Sequence, residues 1–282
     1  VAKTIQKFIP RRFRKSRTVV PVVRLEGTIS AESGGFGRRS LSMASAVPLL
    51  ERAFANKAAP VVAIEINSPG GSPVQSRLIH RHIRDLSRRK GKPVLVFCED
   101  VAASGGYMIA CAGDEIFADP SSIVGSIGVV AGGFGFVDLI HKIGVERRVY
   151  TAGRNKATLD PFQPEKAEDV EHLKRLQLEV HETFIELVRE RRGLALSDDP
   201  DLFTGLFWSG RRGVELGLVD QLGTLDEVLH QRYGDDVEIE RIARRRGLLG
   251  GRLSFGGGAS AALASGLVSA VEDRSLWARY GL

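Results

Sequence analysis

The chain has 282 residues, enough for one large or two ordinary domains, and its 43% hydrophobic and 26% charged content is that of a globular protein with a sizeable core. Its formal net charge of +6 is concentrated in residues 1–18, which hold seven Lys or Arg and no acid, leaving 33 basic against 34 acidic residues elsewhere. A near-neutral body argues against a broad nucleic-acid-binding face. Two cysteines, Cys98 and Cys111, lack both metal-ligand spacing and a nearby His, so neither a disulfide framework nor a metal site is expected, only buried thiols.

In chain order, the basic arm of residues 1–18 interleaves Ile5, Phe8, Ile9 and Phe13, a pattern suited to local contact with an anionic membrane surface. No apolar core of about 7–15 residues follows it, so it is not read as a signal peptide, and no run of about 20 apolar residues offers a transmembrane helix. The expectation is a cytoplasmic chain whose arm can rest peripherally on the inner face of the membrane. Residues 19–26 predict a strand. Residues 41–58 suit a helix in which Pro48 is tolerated only in the first turn. The apolar run Val61–Ile66 suits a strand buried on both faces, and the glycines of "NSPGGS" a sharp turn after it. Val74, Leu78, Ile79, Ile83 and Leu86 then recur at helical spacing up to "SRRKGK", a basic, glycine-closed helix end.

"PVLVFCE" predicts the next strand, "AASGGY" a second glycine-rich turn, Tyr107–Cys111 the start of a helix and "DEIFAD" a further strand. Strand and helix in alternation indicate an α/β fold with a largely parallel sheet and right-handed crossovers. Residues 164–192 read as one long charged helix with Leu173, Leu176, Val180, Phe184 and Leu187 on a stripe that needs a partner surface. Residues 202–229 suggest a loop, a short helix and another helix packed back onto the domain. The chain thus divides into an arm (1–18), a single domain (19–243) and a glycine-rich basic linker with a weakly apolar tail (244–282). No internal repeat of the solenoid kind is visible.

The turns at 67–72 and 102–107 carry the candidate chemistry. Ligands of open α/β sheets sit outside the carboxyl ends of the strands, where glycine N–H groups can converge on one anionic oxygen. Gly71 and Gly105 are the natural pair of donors, each such donor being worth about 2.7–4 kcal/mol in a transition state. Ser104 stands at a helix start, where the dipole favours negative charge, and is the candidate nucleophile. None of the six histidines is well placed as its base; His80 and His82 lie two apart on one helix, and His141, His172, His181 and His230 fall in apparent surface helices. A lysine base is the alternative, provided that burial depresses its pKa by about three units, at a cost of roughly 4 kcal/mol. Lys156, in "YTAGRNKATLDPF" between a strand and the long helix, is one candidate among several lysines.

The segments "NSPGGS", "ASGGYMIACAGDEIFADPSSIVGSIGVV", "AGRNKATLDPF" and "FWSGRRGVELGLVDQLG" together resemble the signal peptide peptidase A (SppA/SohB-like) family of serine peptidases, over about residues 19–230. The resemblance implies a fold shared with Clp protease and crotonase, built of repeated ββα units, and a Ser/Lys dyad that hydrolyses peptides. It implies Ser104 as nucleophile, Lys156 as general base, Gly71 and Gly105 as oxyanion donors, and Ser126 as the residue that orients the lysine. No cofactor is implied, and the partners are peptide substrates and further copies of the chain in a homo-oligomer. The small apolar residues of "SSIVGSIGVVAGGFGF" suit apolar peptides bound in extended form, remnant signal peptides or other membrane-derived segments among them. The family often carries an N-terminal membrane anchor, in whose place this chain has only its basic arm.

Three other functions compete. A crotonase-type acyl-CoA enzyme needs carboxylates beside the two amides, and neither glycine turn supplies one. An α/β-hydrolase needs the first glycine of G-x-S-x-G, where this chain has Ala102. A catalytically silent oligomeric scaffold at the membrane surface would have no use for Ser104 and Lys156, both of which are present.

Overall fold

The computed structural model describes residues 17–31, 40–243 and 274–282. Residues 1–16 of the basic arm and 244–273 of the linker and tail lie outside the described residues. The elements are β1 (Val19–Glu26), α1 (Met43–Ala55), β2 (Val62–Ser68), α2 (Pro73–Lys90), β3 (Val94–Ala103), α3 (Gly105–Ala110), β4 (Glu115–Ala118), β5 (Ile123–Gly125), α4 (Val137–Lys142), α5 (Ala167–Arg192), β6 (Phe207–Ser209), α6 (Gly210–Glu215), β7 (Gln221–Leu222), α7 (Leu225–Tyr233) and β8 (Glu238–Arg241). They form an eight-stranded sheet in the order β6-β5-β3-β2-β1-β8, with β4 beside β3 and β7 beside β4. Every pairing is parallel except that of β5 with β6.

Strand alternation explains the layers. Val23 and Leu25 of β1, Ile64 and Ile66 of β2 and Val94 and Val96 of β3 face one side, where α1, α2, α3 and the end of α5 cover them with Leu50, Phe54, Ile79, Ile83, Ile109 and Phe184. Their neighbours Val20, Val22, Ala63, Leu95 and Phe97 face the other side, beneath Leu225, Val228 and Leu229 of α7. Because both faces are covered, every residue of β2 is buried, as its continuous apolar run requires. Two buried thiols, Cys98 and Cys111, fall within this core as expected.

Some expectations of the sequence change. Pro48 lies inside α1 rather than in its first turn, and Ser42 and Ser45 secure that helix with a capping box. Val74 and Leu78 of α2 are exposed, so only Ile79, Ile83 and Leu86 of the predicted stripe reach the core. In α5 the buried apolar residues are Phe184, Leu187 and Val188, and Leu176 is exposed, so the first half of the helix finds no covering partner for its stripe among the described residues. Residues 274–282, placed by sequence in the tail, lie against the core, where Trp277 and Tyr280 meet Val101, Ala103 and Ile123.

Candidate active site

The site is built at the carboxyl ends of β2, β3 and β5. Pairing between β2 and β3 shifts register between Ile66 and Ser68, so that β3 carries extra residues opposite Asn67. Asn67 fills the irregularity by donating to Asp100 at 2.7 Å and accepting the Val101 amide at 3.3 Å. Such a bulge re-aims the strand end. Here the strand end delivers Ser104, which follows β3 directly and precedes α3.

Ser104 adopts φ 52° and ψ −120°, a region that L-residues seldom occupy. Two bonds hold it there: its amide donates to the Gly125 carbonyl at 2.8 Å, and its carbonyl accepts from the Met108 amide at 2.9 Å. Residues 101–103 and 105–112 around it are buried, whereas Ser104 itself is partly exposed. The glycines after it answer a packing demand, since a Cβ on Gly105 would lie 2.3 Å from Ser76 Oγ and one on Gly106 2.5 Å from the Ser68 carbonyl oxygen.

The other glycine turn meets this one. Ser68 Oγ donates to the Gly27 carbonyl at 2.7 Å and accepts the Gly70 amide at 3.2 Å. Ile29 laces the turn from outside, its amide donating to the Gly70 carbonyl and its carbonyl accepting from Ser72, both at 2.8 Å. At Gly71 φ is +136°, and a Cβ would lie 2.2 Å from the Ile29 carbonyl oxygen, so glycine is required. These bonds leave the Gly71 and Gly105 amides without a hydrogen-bond partner among the described residues. Both residues line one cavity of about 390 Å³ together with Ser104 and Ser126.

Ser126 also has positive φ, 53°, and its amide donates to the Leu206 carbonyl at 2.8 Å. Its hydroxyl is buried and accepts a hydrogen bond from the Tyr280 hydroxyl at 3.2 Å. The cavity walls are mixed, with Met108, Val129, Val180 and Phe184 supplying apolar surface and Thr204 and Arg279 polar surface, and no carboxylate or histidine lines it among the described residues. His181 of α5, read from sequence as a solvated or packing residue, bonds the Ile127 carbonyl at 3.0 Å beside the cavity. His80 is buried away from it, and burial, with the Arg191 charge next in weight, lowers its pKa to about 4. Burial pushes the Cys98 and Cys111 thiols up to about 12, so neither is a nucleophile at neutral pH. No cluster of metal-ligating side chains is present among the described residues.

Lys156 stands apart from this assembly. It is exposed, its amide donates to the Gly153 carbonyl at 3.2 Å within a turn, and it does not line the cavity. Within one chain, therefore, Ser104, Gly71, Gly105 and Ser126 come together and Lys156 does not. Sequence reasoning missed Tyr280 and Ser68. The aromatic pair in "SLWARY" was the available signal for Tyr280, and nothing distinguishes Ser68 from the other serines of its segment.

Residues 87–237, more than half of the chain, match the profile of peptidase family S49. A Brucella abortus protein named as the Na(+)/H(+) antiporter NhaA is 59% identical over 288 residues, which cover 99% of this chain but 39% of that protein. The chain thus spans about two fifths of that relative. The chloroplastic serine protease SPPA of Arabidopsis thaliana is 30% identical over 217 residues, 76% of this chain and 32% of that one. Among solved structures, a mutant of the 1510-N membrane-bound stomatin-specific protease superposes with a TM-score of 0.51 at 15% identity, covering 82% of this chain and all of that chain. That likeness bears on the fold alone and agrees with the Clp protease-like α/β architecture expected from sequence.

Proposed function

From the premise that the chain belongs to peptidase family S49, we propose that it is a serine endopeptidase that cleaves apolar peptides by acyl transfer. The observation that carries this is the convergence of Ser104 with Gly71 and Gly105, whose amides have no partner among the described residues, on one cavity with apolar side chains in its wall. Ser104 attacks the scissile carbonyl, and the two amides hold the developing oxyanion. Neutral Lys156, oriented by Ser126, takes the Ser104 proton and passes it to the leaving amine, after which water releases the acyl group. The substrate is an apolar peptide in extended form, such as a remnant signal peptide or another membrane-derived segment.

A lysine base must leave water to be neutral, so the exposed turn that carries Lys156 has to be covered before catalysis. Val130, Phe134, Leu139, Ile143 and Tyr150, each more than half exposed, precede it in sequence and offer apolar surface suited to a second copy of the chain. We place the active enzyme in a homo-oligomer for this reason. Among the described residues no helix is long and apolar enough to cross a membrane. A cytoplasmic enzyme held peripherally by residues 1–18 on an anionic surface fits the charge of the arm, at roughly 1 kcal/mol per basic residue. Liposome co-sedimentation unchanged by deleting residues 1–18 would count against it.

The exposure of Lys156 is the one observation that favours a silent scaffold instead. Hydrolysis of a panel of fluorogenic apolar peptides by the wild type, Ser104→Ala and Lys156→Ala, with size-exclusion profiles as control, separates the two. Cleavage abolished in both variants supports the dyad, and cleavage that survives in either one excludes it.

A further inference from the structure

Residues 274–282 border the cavity. They are helical over 274–278, and Leu276 and Arg279 form part of the wall that Ser104, Gly71, Gly105 and Ser126 complete. Trp277 packs with Ile123 against Val101 and Ala103. Tyr280 is only 7% exposed and meets Phe207 edge-on, with ring centroids 5.0 Å apart at 74°. A tyrosine buried to this extent needs a partner for its hydroxyl. The partner it finds is Ser126, at 3.2 Å.

We propose that residues 274–282 are an internal latch in which Tyr280 occupies, on Ser126, the place that Lys156 must take for catalysis. The inference rests on the Ser104/Lys156 function proposed above. With Tyr280 seated, Ser126 is only 4% exposed, so little of the space over its hydroxyl is left for a lysine amine. The phenol ring fills that space and donates to the oxygen that would orient the lysine amine. The same structure holds Lys156 in an exposed turn away from the cavity. While Tyr280 is seated, the lysine lacks its orienting bond even where a second copy covers its turn. Displacing residues 274–282 frees Ser126 and opens a wall of the cavity to substrate in a single motion.

The test uses the full chain with Tyr280→Phe, which keeps the ring and removes the donor, and Tyr280→Ala, which removes both. Turnover of a fluorogenic apolar peptide and the rate at which a fluorophosphonate labels Ser104 are measured together. A latch closed nine-tenths of the time taxes the rate about tenfold, so Tyr280→Ala is expected to recover about that factor and Tyr280→Phe part of it. The gain disappears in a Lys156→Ala background, where nothing competes for Ser126. A synthetic peptide of residues 274–282 added to the Tyr280→Ala chain restores the slow rate, and the same peptide with phenylalanine for tyrosine does so less well. Ser104-dependent activity that ignores both Tyr280 substitutions overturns the latch alone, whereas a gain that persists in the Lys156→Ala background overturns the latch together with the dyad on which it rests. Silence toward peptide and probe in every background overturns the peptidase function and the latch with it.

Discussion

Ser104 and the segment that carries Lys156 belong to one proposed mechanism, yet the chain holds them in opposite ways. Ser104 stands on a turn whose neighbours are all buried, fixed by the Gly125 carbonyl, the α3 backbone and the close approach of Ser68 and Ser76. Residues 129–166 instead expose Val130, Phe134, Leu139, Ile143 and Tyr150, and only Ile140 of α4 is buried. The proposed nucleophile and oxyanion donors are therefore held in place by the same burial that stabilises the sheet. The base is left to whatever covers its segment.

The sharpest way to break that contrast is to remove each reacting group. Ser104→Ala and Lys156→Ala are both expected to lower kcat/KM by about 10⁴-fold. Lys156→Ala should leave the thermal midpoint unchanged, because its side chain is exposed; a fall in Tm by differential scanning fluorimetry would show that the turn is already part of the folded core.

Next in size is Gly71→Ala, which forces a Cβ against the Ile29 carbonyl at a φ of +136° and displaces an oxyanion donor. A loss of about 10²–10³-fold in kcat is expected, with about 1–3 kcal/mol of stability, read by steady-state kinetics and urea unfolding. Gly132→Ala is the matched control in the other region, where nothing lies within 4 Å of the added carbon. It should change neither quantity.

The buried half also carries a pH signature that the exposed half lacks. The His80 pKa in the folded state is lowered to about 4, chiefly by burial and then by Arg191. The unfolded chain, titrating near 6.5, therefore binds more protons between those values, so stability is full above pH 6.5 and falls as pH drops toward 4, by up to about 3 kcal/mol. Urea unfolding from pH 7 to 4.5 should show this slope in the wild type and a shallower one in His80→Leu. The smallest effect belongs to Leu139→Glu, which should alter stability by less than about 0.5 kcal/mol while moving the size-exclusion profile toward the monomer. An unchanged profile would remove residues 137–142 from the assembly surface.

Much of the fold was legible because local chemistry and tertiary fate agreed. The apolar run at 61–66 had to be a strand covered on both sides, and "SRRKGK" had to close a helix, with Gly91 adopting φ 60° as that end requires. Agreement failed where a neighbour decided the outcome. Pro48 sits inside α1 because the helix is held by a capping box and by the burial of Leu49, Leu50 and Phe54. Val74 and Leu78 share the helical spacing of Ile79 and Ile83 but are exposed to solvent.

By itself the sequence determined that this is an α/β protein with two glycine turns at adjacent strand ends and a serine at a helix start, since turn chemistry and apolar periodicity are local properties. Only the tertiary structure decided that Gly71 and Gly105 line one cavity with amides unpartnered among the described residues, that Lys156 stands outside it, and that Tyr280 bonds Ser126. Each of these is a contact between distant stretches, fixed by what packs where, and no local pattern encodes it.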